Sequence, residues 1–332
     1  MKAVALISGG LDSALAAKLI KDEGIEIIGL NFKTPFCLCD KRGSSGCLNR
    51  AQQIAHNLGI ELKVVGITNE FFRIIENPKH GYGSNMNPCI DCRILKFSKA
   101  REFMQVVGAS FIITGEVLGQ RPMSQHRQAL KVIDKESQLE GLVLRPLSAK
   151  LLPKTIPEEK GWVVRDRLLD FSGRTRKPQI ELAKRLKIKD YSCPAGGCLL
   201  TDPSFCRRLK DLIYHEGLNL NHVELLKLGR HFRLTPKTKL VVGRNRDENL
   251  RLVELRQEND ALFMPLKISG PTALTRGPLN RDLVKLSASI VSRYCDLNDR
   301  REVEIVFKNS LNKEEILSVL PIEESHLVTL RI

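Results

Sequence analysis

The sequence predicts an α/β protein: a Rossmann-like parallel sheet with helices on both faces, followed by a smaller α+β domain. Three observations carry this. The chain opens on a buried-strand pattern, Val4-Ala5-Leu6-Ile7, which runs through two glycines into a stretch of strong helix formers. Over roughly the first two-thirds, short β-rich runs alternate with helical patterns, as parallel sheets require for their crossovers. Near residue 206 that alternation gives way to strand-like runs, charged turns and the proline-glycine segment Ile268-Ser269-Gly270-Pro271. The expected domains are therefore 1–205 and 206–332.

The elements follow in order. Lys2–Ile7 reads as the first strand and Ala14–Ile20 as the first helix. Ile25–Asn31 is a second β-rich run, Leu48–Leu58 a helix and Glu61–Ile67 a third strand. Ile94–Val107 is amphipathic and helical, and Ser110–Thr114 is a further strand. The turn Gly173-Arg174-Thr175-Arg176-Lys177-Pro178 introduces a helix at Gln179–Leu186. In the second domain Phe205–Glu216 reads as a helix, and Gly229–Leu234 leads into the strand-like Lys239–Asn245.

Composition narrows the function classes. The 332 residues are 42% hydrophobic and 27% charged, the proportions of a globular protein with a sizeable core. No apolar run reaches the length of a membrane span, and the chain starts on a core strand without a signal-peptide pattern, so a cytoplasmic protein is expected. Nine cysteines in that compartment point to metal binding or catalysis rather than disulfides. The net charge of +15 favours a polyanionic partner, most simply nucleic acid.

Ser8-Gly9-Gly10-Leu11-Asp12-Ser13 lies between the first strand and the first helix. There the N–H groups of Gly9, Gly10 and Leu11 can converge on an anion at a helix N-terminus, with Ser8 and Ser13 adding hydroxyl donors. Asp12 repels bare phosphate but can orient Mg²⁺ or the loop. No Gly-Lys-Ser/Thr follows, so this is not a Walker loop. It resembles the pyrophosphate loop of the N-type ATP pyrophosphatases, which implies that ATP is cleaved between the α and β phosphates and a substrate oxygen is adenylated.

After the strand ending at Thr114 comes Gly115-Glu116-Val117-Leu118-Gly119-Gln120-Arg121-Pro122-Met123-Ser124-Gln125. Ligands of parallel sheets bind at the carboxyl ends of strands, where both this loop and Ser8–Ser13 fall. Gly115 and Gln120 are candidate nucleotide contacts. The segment resembles the tRNA 4-thiouridine synthases, as does Leu144-Arg145-Pro146-Leu147, and the likeness spans roughly residues 1–205. It implies that ATP activates a uridine carbonyl of tRNA and that a sulfur nucleophile then displaces AMP.

The cysteines fit such chemistry. Cys89 and Cys92 form a C-x-x-C at a helix start, where free N–H groups favour thiolate, and Cys193 and Cys198 follow near the end of the domain. Two readings stand. By resemblance to the Asn-Pro-Cys segment of the tRNA 2-thiouridylases, Cys89 is a nucleophile and Cys198 a persulfide carrier. Alternatively Cys89, Cys92 and a third thiol, Cys198 or Cys193, hold a [4Fe–4S] cluster with one iron open to sulfide. The full C-x-x-C favours the cluster, and the same ligands suit zinc. Cys37, Cys39 and Cys47 form a further group, able to bind zinc, relay sulfur or do neither. Cys206 and Cys295 read as structural.

In the second domain, Val242–Asn245 with Glu248-Asn249 and then Ser269-Gly270-Pro271 resemble the RNA-binding domain of the NFACT ribosome quality-control proteins. Residues 207–332 hold 22 Lys and Arg against 17 Asp and Glu, which leaves +10 of the net +15 to residues 1–206, so both domains can face RNA. Arg230, Arg233, Arg244 and Arg246 are candidate phosphate contacts, since Arg binds phosphate in a bidentate manner. With only 5% aromatic residues, recognition by shape and backbone is expected rather than base stacking. The thiouridine synthases usually carry a THUMP module, and some a rhodanese domain. Neither pattern occurs in this sequence, so a cysteine desulfurase or free sulfide is the expected sulfur source. A homodimer is compatible with the sequence.

Overall fold

The computed structural model describes residues 1–37, 47–188, 197–297 and 302–332, with only the backbone of Cys47. They form two compact units, Met1–Asp202 and Pro203–Ile332.

The first unit holds β1 (Lys2–Leu6), α1 (Leu11–Lys21), β2 (Glu26–Lys33), α2 (Cys47–Leu58), β3 (Glu61–Gly66), α3 (Thr68–Glu76), α4 (Cys89–Val106), β4 (Phe111–Ile113), α5 (Arg127–Glu136), β5 (Val143–Leu144), α6 (Ile156–Glu159) and α7 (Lys177–Arg185). Its strands make one parallel sheet in the order β3-β2-β1-β4-β5. The alternation of β1 divides the core. Ala3, Ala5 and Ile7 face α1, α2 and α7, where Leu15, Ile20, Ile54 and Leu182 pack. Val4 faces the other way, with Phe97 and Met104 of α4 and Ile133 of α5. Small residues on β1 and α1 (Ala3, Ala5, Ala14, Ala17) let helix and strand approach closely, and all four are fully buried.

The chain winds outward from β1 through β2 to β3, then returns to place β4 on the other side of β1. The strand order reverses there, and in sheets of this kind the ligand crevice lies outside the carboxyl ends of the two strands at the reversal, here β1 and β4. The expected parallel sheet with helices on both faces is present. Periodicity missed α3, α5, α6 and β5. The last has only two residues, too short for an alternation to show.

The second unit holds α8 (Pro203–His215), α9 (Leu220–Leu226), β6 (Arg230–Thr235), β7 (Thr238–Val242), α10 (Arg246–Glu254), β8 (Ala261–Pro265), β9 (Ala273–Arg276), α11 (Arg281–Ser292), β10 (Val303–Lys308), β11 (Glu314–Val319) and α12 (Glu324–Leu330). Its sheet is antiparallel, in the order β11-β10-β8-β9-β7-β6. Phe232, Phe263 and Ile305 meet Val284, Ala288 and Val291 of α11 on one face. Val241, Leu262 and Leu274 meet Leu225 and Leu252 on the other. This is the smaller α+β fold expected from the sequence.

Candidate active site

The Ser8–Ser13 loop fills the β1 end of the crevice. Gly9 takes φ +81°, a conformation that favours glycine. The serines shape the turn: Ser13 Oγ donates to the Gly10 carbonyl at 2.8 Å and accepts from the Ser8 N–H at 3.2 Å. Gly10 is the N-cap of α1 and supplies no side-chain acceptor, so the first-turn amides stay available to an anion.

Asp12 is the buried charge of this loop. Gln120 Nε2 donates to its Oδ2 at 3.0 Å, while Oδ1 is buried with no hydrogen-bond partner among the described residues. Burial raises its pKa, against the Gln120 hydrogen bond and the nearby Arg176 and Arg121 charges. An orphaned carboxylate oxygen beside helix amides that no N-cap side chain occupies fits a cation carried in with a phosphate group.

The β4 end closes on this loop through Gly115. A Cβ built there would lie 2.4 Å from the Asp12 carbonyl carbon and from the Ser13 nitrogen, so only glycine lets the two strand ends meet. Glu116, next in sequence, is buried and accepts from Arg145 Nε at 2.9 Å, while Arg93 reaches its other oxygen at 3.1 Å. Arg145 also grips Asp134 with two bonds of 2.8 and 2.7 Å. Burial opposes the Arg145 charge, but Glu116 and Asp134 outweigh it and hold its pKa above the ordinary range. The Leu144–Leu147 segment therefore locks the loop after β4 in place.

Sequence reasoning missed Arg93, Arg121 and Arg176. Arg176 Nε is buried without a partner among the described residues. Burial lowers the Arg121 pKa, as does Arg93, while Cys89, Asp12 and Glu116 raise it. Arg121 thus lies within electrostatic reach of both the phosphate loop and the C-x-x-C. The signal was present, since Arg121 falls in the segment after β4 and Arg176 in the turn before α7.

Cys89 begins α4 and Cys92 sits one turn on, as expected. Two contacts carry Cys198 to them. The Met86 N–H donates to the Leu200 carbonyl at 3.1 Å, and Asn85 Nδ2 donates to the Thr201 carbonyl at 2.8 Å. Cys89, Cys92 and Cys198 feel one another's charge. The expected thiolate preference at the helix start is overturned, because burial and the Cys92 neighbour raise the Cys89 pKa against Arg93, Arg121 and Lys96. Burial pushes Cys198 further, to about 12. Cys37 pairs backbone to backbone with Cys198, and the Leu199 N–H donates to the Phe36 carbonyl at 2.9 Å. Cys193, Cys39 and the Cys47 side chain lie outside the described residues. Among the described residues, no three His, Cys, Asp or Glu side chains gather closely enough to hold a metal ion. Cys206 and Cys295 are buried.

The second-unit arginines differ in their engagements. Arg246 opens α10 and is exposed. Arg230 lies over the Tyr294 ring at 4.5 Å. Arg244 makes an ion pair with Glu248. Arg233 is held by Asp211 and Glu216 of the α8 segment, in a row of directly opposed cations, Arg233–Lys239–Arg276, across β6, β7 and β9. Its guanidinium serves the fold in this arrangement. No described helix is long and apolar enough to cross a membrane.

Residues 1–157 match the tRNA methyl transferase HUP domain, and residues 229–330 match the NFACT protein RNA binding domain. The tRNA-specific 2-thiouridylase MnmA of Clostridium acetobutylicum is 34% identical over 124 residues, 34% of this chain and 35% of that protein. The MnmA of Marinobacter nauticus is 29% identical over 187 residues, 48% of this chain and 47% of that protein. The chain thus spans between about a third and a half of the length of these curated relatives. Among solved structures, a 4-thiouridine synthetase–RNA complex with bound ATP aligns over 68% of this chain and 52% of that one, at 22% identity and a TM-score of 0.37. The U34-tRNA thiolase NcsA from Methanococcus maripaludis with its [4Fe-4S] cluster aligns over 68% and 70%, at 16% identity and a TM-score of 0.34. The chain is thus similar over residues 1–157 to the tRNA methyl transferase HUP domain and over residues 229–330 to the NFACT protein RNA binding domain.

Proposed function

We propose that this protein is an ATP-dependent tRNA thiolase, which replaces a uridine carbonyl oxygen with sulfur. One observation carries the reading: in the loop after β4, Gln120 donates to Asp12 Oδ2 at 3.0 Å and Glu116 pairs at 3.1 Å with Arg93, the neighbour of Cys92 on α4, so one segment ties the phosphate loop to the C-x-x-C helix. The sequence kinship with the 2-thiouridylases agrees with it.

The amides of Gly9, Gly10 and Leu11 would hold the β and γ phosphates, with Gly115 and Gln120 lining the nucleotide side. Asp12 Oδ1 would hold Mg²⁺ together with phosphate oxygens, where the ion neutralises charge on the leaving group. The uridine oxygen attacks the α phosphorus, the α–β bond breaks and pyrophosphate leaves. Arg121 and Arg176 stabilise the charge that develops in that step. A sulfur nucleophile then attacks the activated carbon and AMP departs with the oxygen. The NFACT-type domain supplies tRNA affinity through Arg230, Arg244 and Arg246, and the reaction is assigned to the cytoplasm.

For the sulfur carrier, Cys89, Cys92 and Cys198 fit a [4Fe–4S] cluster in donor type and number, with Cys193 the alternative third ligand. Such a cluster would leave one iron without a protein ligand, open to sulfide. Among the described residues no three His, Cys, Asp or Glu side chains gather as ligands of a metal ion, which favours a second reading, a persulfide relay through Cys89 and Cys198.

The test is incubation of anaerobically purified protein with unmodified tRNA, ATP and either sulfide or cysteine plus a desulfurase. Thiolated nucleosides are measured by mass spectrometry and pyrophosphate is measured alongside. Pyrophosphate release that depends on tRNA, with a thiouridine product, is expected. Pyrophosphate release without tRNA would point instead to adenylation of a small molecule. Iron content, and the activity of Cys92→Ala with a persulfide donor, separate cluster from relay.

A further inference from the structure

Cys37 has no part in the reaction as assigned above, yet the backbone places it directly opposite Cys198 in an antiparallel bridge. The flanking hydrogen bond fixes the kind of pair. The Leu199 N–H donates to the Phe36 carbonyl at 2.9 Å, so the bond joins the residue after Cys198 to the residue before Cys37. That pattern marks a non-hydrogen-bonded pair, the closer of the two antiparallel types, with Cα atoms about 4.5 Å apart and side chains drawn together. A disulfide spans Cα atoms about 4.4–6.8 Å apart, so the spacing of this pair type falls within disulfide reach. Cys89 and Cys92 are joined to the Cys198 segment by the turn contacts of Asn85 and Met86, and among the described residues no strand register sets them opposite Cys198.

We infer that Cys37 and Cys198 form a cross-strand dithiol, a site of reversible oxidation by low-molecular-weight disulfides such as oxidised glutathione. The Cys37 thiolate attacks the glutathione disulfide, forming a mixed disulfide at Cys37 and releasing one reduced glutathione. The neighbouring Cys198 thiol then gives up its proton to the leaving thiolate and its sulfur displaces the second glutathione. The protein loses two electrons and two protons, and one oxidised glutathione leaves as two reduced molecules. While the Cys37–Cys198 bond stands, Cys198 can neither accept a sulfur atom nor bind iron. The consequence for sulfur transfer rests on the function proposed above. The dithiol itself does not.

The test is peptide mapping of the full chain under non-reducing conditions, after the reduced, metal-free protein is treated with excess oxidised glutathione. A Cys37–Cys198 cross-linked peptide is expected as the main disulfide product. Iodoacetamide labelling of Cys198 should fall at least tenfold and return on treatment with dithiothreitol. Cys37→Ser should lose the cross-link and leave Cys198 as a glutathione adduct or an alkylated thiol, and Cys37→Ala gives the same readout with a smaller side chain. Pairing of Cys198 mainly with Cys89, Cys92 or any other cysteine in the parent protein would overturn the inference, as would undiminished labelling of Cys198. The mapping needs neither ATP nor tRNA, so failure of the thiolation assay leaves it intact.

Discussion

Replacing Gly115 with alanine tests whether the crevice is built by the contact between the two strand ends. The added Cβ would meet the Asp12 carbonyl carbon and the Ser13 nitrogen at 2.4 Å and the Asp12 oxygen at 2.5 Å. All three are backbone atoms, so no rotamer change relieves the clash, and either the phosphate loop or the segment after β4 must move. Overpacking of this kind costs about 1–3 kcal/mol. In a unit of 202 residues each kcal/mol lowers the melting temperature by about 2–4 °C. The displaced atoms belong to the turn that presents the α1 amides, so ATP affinity should fall by about tenfold or more while the far-ultraviolet circular dichroism stays at the parent value. Gly66→Ala, at the end of β3, is the control, because a Cβ there meets nothing within 4 Å. Calorimetric titration with ATP and thermal melts of both variants decide the matter. A Gly115→Ala protein that binds ATP and melts like the parent would refute the reasoning.

Four further outcomes are expected. Asp12→Ala should cut tRNA-dependent pyrophosphate release by about a hundredfold or more, the scale of losing one preorganised electrostatic group, while the melting curve shows an intact fold. Arg145→Met should destabilise the first unit by about 3–5 kcal/mol in urea titrations, because Glu116 and Asp134 are left as buried carboxylates without their main partner. Arg246→Ala and Arg230→Ala should each weaken tRNA binding and reduce the slope of log K against log salt by about one unit or less, measured by filter binding at several salt concentrations. Burial lowers Lys239 to about 8 from 10.5, so below pH 8 both states are protonated and the folded state carries the whole penalty. Lys239→Met should therefore be the more stable protein at pH 7, by about 3 kcal/mol, with the advantage fading as pH rises from about 8 to 10.5, followed by urea unfolding.

The parts legible in the sequence were those that depend on neighbours along the chain. The apolar run Val4–Ile7, the glycine pair and the helix formers after it were enough to place β1, the phosphate loop and α1, because short apolar runs and turn chemistry are local. The start of α4 at Cys89 was legible for the same reason. What the sequence hid are the approaches between distant segments. Gly115 was legible as a loop glycine but not as the residue whose missing Cβ admits the Asp12 backbone, 103 positions earlier. The Cys89 pKa was misjudged because helix-end electrostatics are local, whereas the burial that outweighs them comes from the folded unit as a whole.

The arginines of the second unit carry the same argument into function. In the sequence Arg233 and Arg246 are equivalent cations in a basic domain. The β6–β7 register sets Arg233 beside Lys239, and the β7–β9 register sets Lys239 beside Arg276. Three like charges on adjacent strands are tolerated only because Asp211, Glu216 and Asp260 neutralise them. Arg246, on the first turn of α10, has no such obligation to the sheet and is exposed. Counting basic residues therefore overstates the surface available to RNA. Strand register decides which cations belong to the interior and which remain for phosphate, and on that ground Arg246→Ala should cost tRNA affinity without stability, whereas Arg233→Ala should cost stability first.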